Sequence, residues 1–293
     1  MTPAFSTGAD LFGAWFAEVE RGEPPVRFKL PDPFTALDVR PGRLFMFGGA
    51  PGGGKTAALI QIGIDLLRLN DTARLLVANV EMAPALLVER IVSRLAAVPL
   101  TAIADRTLTA DQLNRVRAVV GSLASIAARL AFLHAPFALE HVAVAGTAFG
   151  ANVLILDYIQ RFTVGDTAKE KREQLETAAT VIRGFCDAGA AVLVAAAVAR
   201  QRGQSGSTYK GLNLASFRGS SELEFGCDGA YLFAPGDNGL IVLGCEKNRY
   251  GTVSDIVTQF DPTTQTFTPP SSGLDSFDTT TPVRTKGKKA KGG

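Results

Sequence analysis

No stretch of this sequence is long and apolar enough to span a bilayer. The longest uninterrupted apolar run, AAVLVAAAVA at Ala190–Ala199, has ten residues, about half of the ~20 that a transmembrane helix needs. The N-terminus, MTPAFSTGADLFGAW, lacks a basic segment followed by an apolar one, so no secretory signal is read there. Cysteine is scarce. Cys186, Cys227 and Cys245 lie far apart without metal-ligand spacing. That argues against a disulfide framework and for reduced thiols in a cytoplasmic protein. An excess of either charge is missing too, with 30 Lys and Arg against 28 Asp and Glu. The last thirteen residues, TPVRTKGKKAKGG, hold five of the bases and no acid, leaving 25 bases against 28 acids, a balance of −3, in the rest. A broadly basic, nucleic-acid-binding body is thereby excluded, and any such surface must be local.

What is present can fold. Hydrophobic residues make up 46% of 293, enough to bury a sizeable core. Ala9–Gly22 carries a helical pattern in which Leu11, Trp15, Phe16 and Val19 share one face. Gly22–Pro33, with four prolines, reads as a linker. Residues 1–34 are therefore expected to be a tethered helix that folds back or docks on a neighbouring subunit. Strands then alternate with helices. Arg43–Gly49 is a strand, Lys55–Asn70 a helix, Arg74–Met82 a strand and Ala83–Val98 a helix. Asp111–Leu133 is a helix ending in a strand, Asn152–Ile159 a strand, Lys169–Gly189 a helix and Ala190–Ala199 a strand. Gly229–Pro235, Gly239–Asn248 and Val253–Pro269 close the pattern as hairpin-like strands. Nearly continuous apolar strands between helices imply an α/β domain over 35–269. Its mostly parallel twisted sheet is covered by helices on both faces and extended antiparallel by the C-terminal strands. Residues 270–293, rich in Ser, Thr, Gly and Lys, read as a disordered basic tail.

The most specific motif is GGAPGGGKTAA at Gly48–Ala58, which contains G-x-x-x-x-G-K-T from Gly49 to Thr56. A strand precedes it and a helix follows, which is the context that makes this pattern a phosphate-binding loop. Backbone N–H groups of Gly49, Ala50, Pro51 (which lacks one), Gly52, Gly53, Gly54, Lys55, Thr56 and Ala57 would line the phosphate cradle. The following helix N-terminus adds partial positive charge. Lys55 would reach the outer phosphates and Thr56 would ligate Mg2+, so ATP and Mg2+ are the expected cofactors. Asp157, which ends the apolar run of NVLILD, is the candidate acid holding Mg2+. Glu81, read as the end of the second strand, is the candidate base that orients water. His134 and His141 lie near apolar segments and read as structural.

These segments resemble DnaB-type replicative helicases. VANVEMAPALLVERIVSRLAAVPL (Val77–Leu100) is similar to the family segment in which a strand ends in S-L-E-M and a helix carries L-V-x-R. LILDYIQRF (Leu154–Phe162) resembles I-D-Y-L-Q-L. SFRGSSELEFGCDGAYLF (Ser216–Phe233) resembles D-L-R-E-S-G-x-I-E-Q-D-A-D. CEKNRYGTVSDIVTQFDPTTQTF (Cys245–Phe267) resembles A-K-x-R-N-G-x-x-G and a closing F-D-x-x-x-x-x-F. The resemblance runs in order over about residues 9–268. It implies a RecA-like ATPase core working as a ring, normally a hexamer, with 5′-to-3′ helicase activity in DNA replication. It implies that Glu81 is catalytic, and that Lys247 and Arg249 are the basic pair inserted into a neighbour's ATP site. On the DNA side it implies that Arg218 grips the single-strand backbone, with Gly219 and Ser221 beside it. Arg161 and Lys169 fall in the other pore-facing loop. The stretch Ala199–Arg218 also contains Arg200, Arg202 and Lys210 and no acid, the local positive charge that the rest of the chain lacks.

There are departures. Ala197 stands where the family has a glutamine that senses the γ-phosphate, and Gly219 where it has a glutamate. The family's N-terminal domain has no counterpart in this sequence, so a primase or loader partner does not follow. The leading expectation is an ATP-driven helicase or single-strand DNA translocase. A nucleotide-switched DNA-binding or recombination-mediator protein is the alternative. An ATPase with no DNA role is a third reading, opposed by the basic stretch.

Overall fold

A computed structural model describes residues 5–165, 171–198, 201–203, 206–208, 226–236 and 239–271. The chain begins with α1 (Gly8–Arg21), then β1 (Leu44–Gly49), α2 (Lys55–Leu69), β2 (Leu75–Asn79), α3 (Pro84–Ala96), α4 (Leu100–Ala104), α5 (Ala110–Ala127) and β3 (Leu130–Phe132). It continues through α6 (Leu139–Phe149), β4 (Val153–Asp157), a short 3-10 turn (Ile159–Arg161), α7 (Lys171–Asp187) and β5 (Ala191–Ala197). A small hairpin, β6 (Gln201–Gly203) and β7 (Gly206–Thr208), precedes β8 (Gly229–Pro235), β9 (Leu240–Asn248), β10 (Ile256–Asp261) and β11 (Thr266–Thr268).

The main sheet has the order β11-β10-β9-β8-β1-β5-β4-β2-β3. From β8 to β3 every pairing is parallel. From β8 outward through β9, β10 and β11 every pairing is antiparallel. The expected α/β architecture is therefore present, with one correction. β8, grouped in the sequence with the antiparallel strands, lies parallel to β1, and the change of direction comes one strand later. Hydrophobic pattern shows that a strand is buried but not which way its neighbour runs. Helix α6 and the β6–β7 hairpin were also not anticipated.

Both faces of the sheet are covered because the central strands are apolar throughout. Successive residues of β1 enter opposite cores, Phe45 and Phe47 on one side and Leu44 and Met46 on the other. The first core is closed by α2 and α3 and the second by α6 and α7, through residues such as Val142 and Ile182. A bidentate pair from Arg94 to the buried Asp65, at 3.1 and 2.7 Å, fastens α3 to α2. The first half of the proline-rich segment is exposed, but from Phe28 the chain joins the core: Phe28, Leu30 and Phe34 are buried. Before it, α1 is well capped, with a Thr7–Asp10 capping box and Gly22 left-handed at its end, yet none of its residues is buried.

The loop before α2 is held from beneath. Gln61 of α2 donates to the Phe267 carbonyl and accepts from its N–H, both at 2.8 Å. The Phe267 ring is buried and stacks on Phe260 at 4.5 Å. A Cβ at Gly54, where φ is +83°, would sit 2.8 Å from that ring, so this turn needs glycine for both conformation and space. Truncating Phe267 should therefore loosen the seat of α2. Phe267→Ala is expected to lower stability by about 3–5 kcal/mol, read as a lower urea midpoint at unchanged slope.

Candidate nucleotide site

The parallel strand order brings the C-terminal ends of β1, β5, β4 and β2 to one edge of the sheet, where open parallel sheets bind ligands. The glycine loop leaves β1 there and enters α2. Lys55 bends back over it, its ammonium donating to the carbonyls of Gly49 (2.9 Å) and Ala50 (2.8 Å). Within the loop Gly53 N–H donates to the Ala50 carbonyl at 3.2 Å. The Thr56 hydroxyl donates to Asp157 Oδ2 at 2.6 Å, across a gap of 101 residues in sequence. Thr56 and Asp157 are thus in direct contact, while Lys55 is held by the carbonyls of its own loop.

Glu81 needs a correction. It does not end β2, which stops at Asn79. Glu81 lies in the turn that follows and is exposed. What fixes that turn is a residue that sequence reasoning missed. Asn79, buried at the last position of β2, pairs in register with Asp157 of β4. Its Nδ2 donates to Asp157 Oδ2 at 2.8 Å, and its Oδ1 accepts from the N–H groups of Glu81 (2.9 Å) and Met82 (2.7 Å). The available signal was a lone polar residue ending the apolar run LLVAN, two positions before the candidate base. His134, read as structural, lines the same shallow cleft as Asn79 and Glu81.

Burial pushes the Asp157 carboxyl above the usual Asp range, and the nearby Glu81 charge adds to this. The hydrogen bonds from Thr56 and Asn79 and the Lys55 charge oppose it. Burial likewise pulls the Lys55 ammonium down, while Asp157 and Glu81 hold it up. The arrangement offers an ammonium that can exchange backbone carbonyls for phosphate oxygens. It also offers a hydroxyl–carboxylate pair, hard oxygen donors of the kind that suit Mg2+. At the end of β5, Gln160 closes two hydrogen bonds with the backbone of Ala197, at 2.9 and 3.1 Å.

Lys247 and Arg249 lie elsewhere. In the antiparallel pairing of β8 with β9, Lys247 stands opposite Ala230 and Asn248 opposite Gly229, at the end of β8 where that strand begins. Arg249 follows directly, and Asp228 precedes β8. Arg249 donates to Asp228 Oδ1 at 3.0 Å, and its N–H donates to the Asp228 carbonyl at 2.8 Å. Oδ2 of the same buried carboxylate accepts from Arg183 of α7 and from the N–H of Leu44, both at 2.9 Å. Leu44 is the first residue of β1 and Gly49 the last. At ~3.3 Å per residue, Arg249 is therefore anchored roughly 16 Å along the strand from its own phosphate loop.

Of the residues expected to face DNA, Arg161 is exposed at the end of the 3-10 turn after β4. Arg202 falls in β6. Lys169, Arg200, Lys210, Arg218, Gly219 and Ser221 lie outside the described residues, as does the tail from residue 272.

A strand–glycine loop–helix with a lysine, a threonine and a buried strand-end aspartate defines a P-loop nucleotide-binding protein. The model of the DnaB-like helicase C terminal domain matches residues 33–269, and the chain belongs to that family. Its fold is the RecA-like one of DnaB-type ATPase domains. One solved ATPase domain superposes with a TM-score of 0.78 at 14% identity, over 91% of this chain and 100% of that one. A DnaB-like replicative helicase, solved together with its interactions with primase, gives 0.76 at 14% identity, over 91% of this chain and 68% of that one. No curated protein matches the sequence significantly. Among the described residues no helix is long and apolar enough to cross a membrane.

The Asp228 cluster predicts unequal costs. Arg249→Ala leaves the buried carboxylate bonded to Arg183 and Leu44, and Arg249 is 43% exposed, so it should cost under about 1 kcal/mol. Asp228→Ala strips both arginines and the Leu44 N–H of their acceptor and should cost about 2–3 kcal/mol. Paired urea unfolding curves check the order.

Proposed function

We propose that this chain is an ATP-driven, ring-forming DNA helicase or single-strand DNA translocase that hydrolyses ATP at the interfaces between its subunits. The observation that carries this reading is the separation of Arg249 from the phosphate loop of its own chain. An arginine at the opposite end of the sheet can serve a nucleotide only in a neighbour, and such head-to-tail contacts form a ring where the rotation between subunits closes, the closure that the family resemblance implies.

The residues divide the work accordingly. The N–H groups of the loop and Lys55 bind and orient the phosphates. Thr56 and Asp157 would hold Mg2+, which when bound neutralises phosphate charge. Among the described residues no three His, Cys, Asp or Glu side chains gather as a metal site, so this cation would be held jointly with the nucleotide's own oxygens. Glu81 takes the proton side of the reaction by orienting the attacking water. Lys247 and Arg249 of the adjoining subunit stabilise charge on the transferring phosphoryl group. The exposed apolar face of α1, with Leu11, Trp15, Phe16 and Val19 all more than half exposed, is the surface that would dock on that neighbour and link the ring. Both chain segments expected to contact DNA leave the sheet at the edge that binds nucleotide: one after β4, with Arg161, and one after β5, with Arg200, Arg202, Lys210 and Arg218. Such contacts to phosphates would be sequence-independent and salt-sensitive. A hexamer and 5′-to-3′ polarity follow from the family resemblance.

A second reading, an ATP-switched single-strand DNA-binding mediator without processive unwinding, has one observation in its favour. Ala197 offers only a methyl group at the end of β5, and its backbone polar groups are already taken by Gln160.

Lys55→Ala is expected to abolish ATP hydrolysis. Arg249→Ala should retain ATP binding while turnover falls on the order of a thousandfold. Mixing these two inactive variants should restore part of the activity, because mixed interfaces pair an intact loop with an intact arginine. Normal turnover by Arg249→Ala alone would refute hydrolysis in trans. A fork-unwinding assay with ATPase measured in parallel separates the two readings. Neutralising Arg200, Arg202, Lys210 and Arg218 should remove stimulation by single-stranded DNA.

A further inference from the structure

We infer that Asn79 is a positioning residue for hydrolysis, tying the turn that carries Glu81 to the carboxylate of Asp157. The inference rests on reading this site as one that hydrolyses a nucleotide with Glu81 as base. Asn79 is 4% exposed, and both ends of its amide are used. The Nδ2 end donates to Asp157 Oδ2, the oxygen that also takes the Thr56 hydroxyl. The Oδ1 end collects two consecutive backbone N–H groups, those of Glu81 and Met82. An amide is planar and short, so a displacement of the Asp157 carboxylate is passed through it to the turn. Placement of the base is thereby coupled to the state of the cation-holding carboxylate.

Few side chains fit this place. Aspartate keeps the acceptor for the turn but has no N–H for Asp157. Serine has a single short hydroxyl in place of a separate donor and acceptor. Glutamine is longer by one methylene. Asparagine offers a separate donor and acceptor at the spacing between Asp157 and the turn. An outer residue of this kind typically changes activity or metal affinity by about 10- to 100-fold when removed.

The test uses the full chain and four variants: Asn79→Ala, Asn79→Asp, Glu81→Ala and the double variant Asn79→Ala/Glu81→Ala. Single-turnover hydrolysis is measured beside equilibrium binding of a fluorescent ATP analogue over a Mg2+ series. Asn79→Ala should slow hydrolysis about 10- to 100-fold and raise the Mg2+ concentration at half-maximal binding. Binding without Mg2+ should stay within about twofold. In the Glu81→Ala background the same change should add no more than about twofold. Asn79→Asp, which is isosteric and serves if Asn79→Ala does not fold, should remain slow. Parental hydrolysis by either Asn79 variant overturns the inference. So does a full additional loss in the Glu81→Ala background, because Asn79 would then act on the strand ends independently of the base. Parental hydrolysis by Glu81→Ala alone would instead remove the base assignment on which the inference stands.

Discussion

One carboxylate oxygen, Asp157 Oδ2, receives both the Thr56 hydroxyl and the Asn79 amide. Through it the start of α2, the end of β2 and the end of β4 are joined in a buried setting, where hydrogen bonds are electrostatically strong and mutually reinforcing. Such a junction is possible only if β1, β4 and β2 run in the same direction, since one reversed strand would send its residue to the opposite edge. β5, which lies between β1 and β4, must also leave room, and it ends in Ala195, Ala196 and Ala197, whose side chains are methyl groups. The parallel half of the sheet is thus a requirement of the site. The antiparallel half serves it differently. β11 places Phe267 under Gly54 and bonds its backbone to Gln61, which fixes the helix that presents Thr56.

The two ends of β1 carry the two halves of the proposed chemistry. Its C-terminal end becomes the phosphate loop. Its N-terminal end is bonded to Asp228, which holds Arg249, and Arg43 just before it stacks over the Tyr250 ring at 4.0 Å. A strand this short and fully buried behaves as a rigid bar. It sets the offset between the loop that binds a nucleotide and the arginine that would complete a different one. Asp228 also draws in Arg183 of α7, so the arginine's anchorage is shared with the helix that follows the Arg161 segment. The polarity between subunits, if they assemble as proposed, is therefore built into each chain before any neighbour arrives.

Different parts of this were legible in the sequence for different physical reasons. The phosphate loop was legible because its constraint is local: glycines, a lysine and a hydroxyl at fixed spacing, with strand before and helix after. Asp157 was legible because a charged residue ending a four-residue apolar run must sit at a strand end. Glu81 was found but put on the strand, since the alternation gives no sign that β2 stops at Asn79. Asn79 itself and Asp228 were missed. The meaning of each depends on strand register and on partners distant in sequence, Asp157 at 78 residues for the first and Arg249, Arg183 and Leu44 at 21, 45 and 184 residues for the second. Direction of pairing was hidden for the same reason. β8 has the short apolar pattern of the strands after it, and only its place beside β1 makes it parallel.

The departures from the family gain a physical meaning when the two strand ends are compared. By resemblance, a glutamine belongs where Ala197 stands and a serine where Asn79 stands. At the end of β5 this chain presents a methyl group, and Gln160 occupies the backbone there. At the end of β2 it has an amide in place of a hydroxyl, aimed at Asp157 rather than at the phosphate loop. A glutamine on β5 would report nucleotide state by touching phosphate directly. The asparagine on β2 is bonded instead to Asp157, the carboxylate proposed to hold the cation. Such coupling would be sensitive to that cation and would reach Glu81 directly, because Asn79 accepts from the N–H groups of its turn. The end of β5 is tied to the nucleotide edge at two places, by its pairing with Gly49 of the phosphate loop and by Gln160, which follows Asp157 on one continuous piece of chain and bonds the Ala197 backbone.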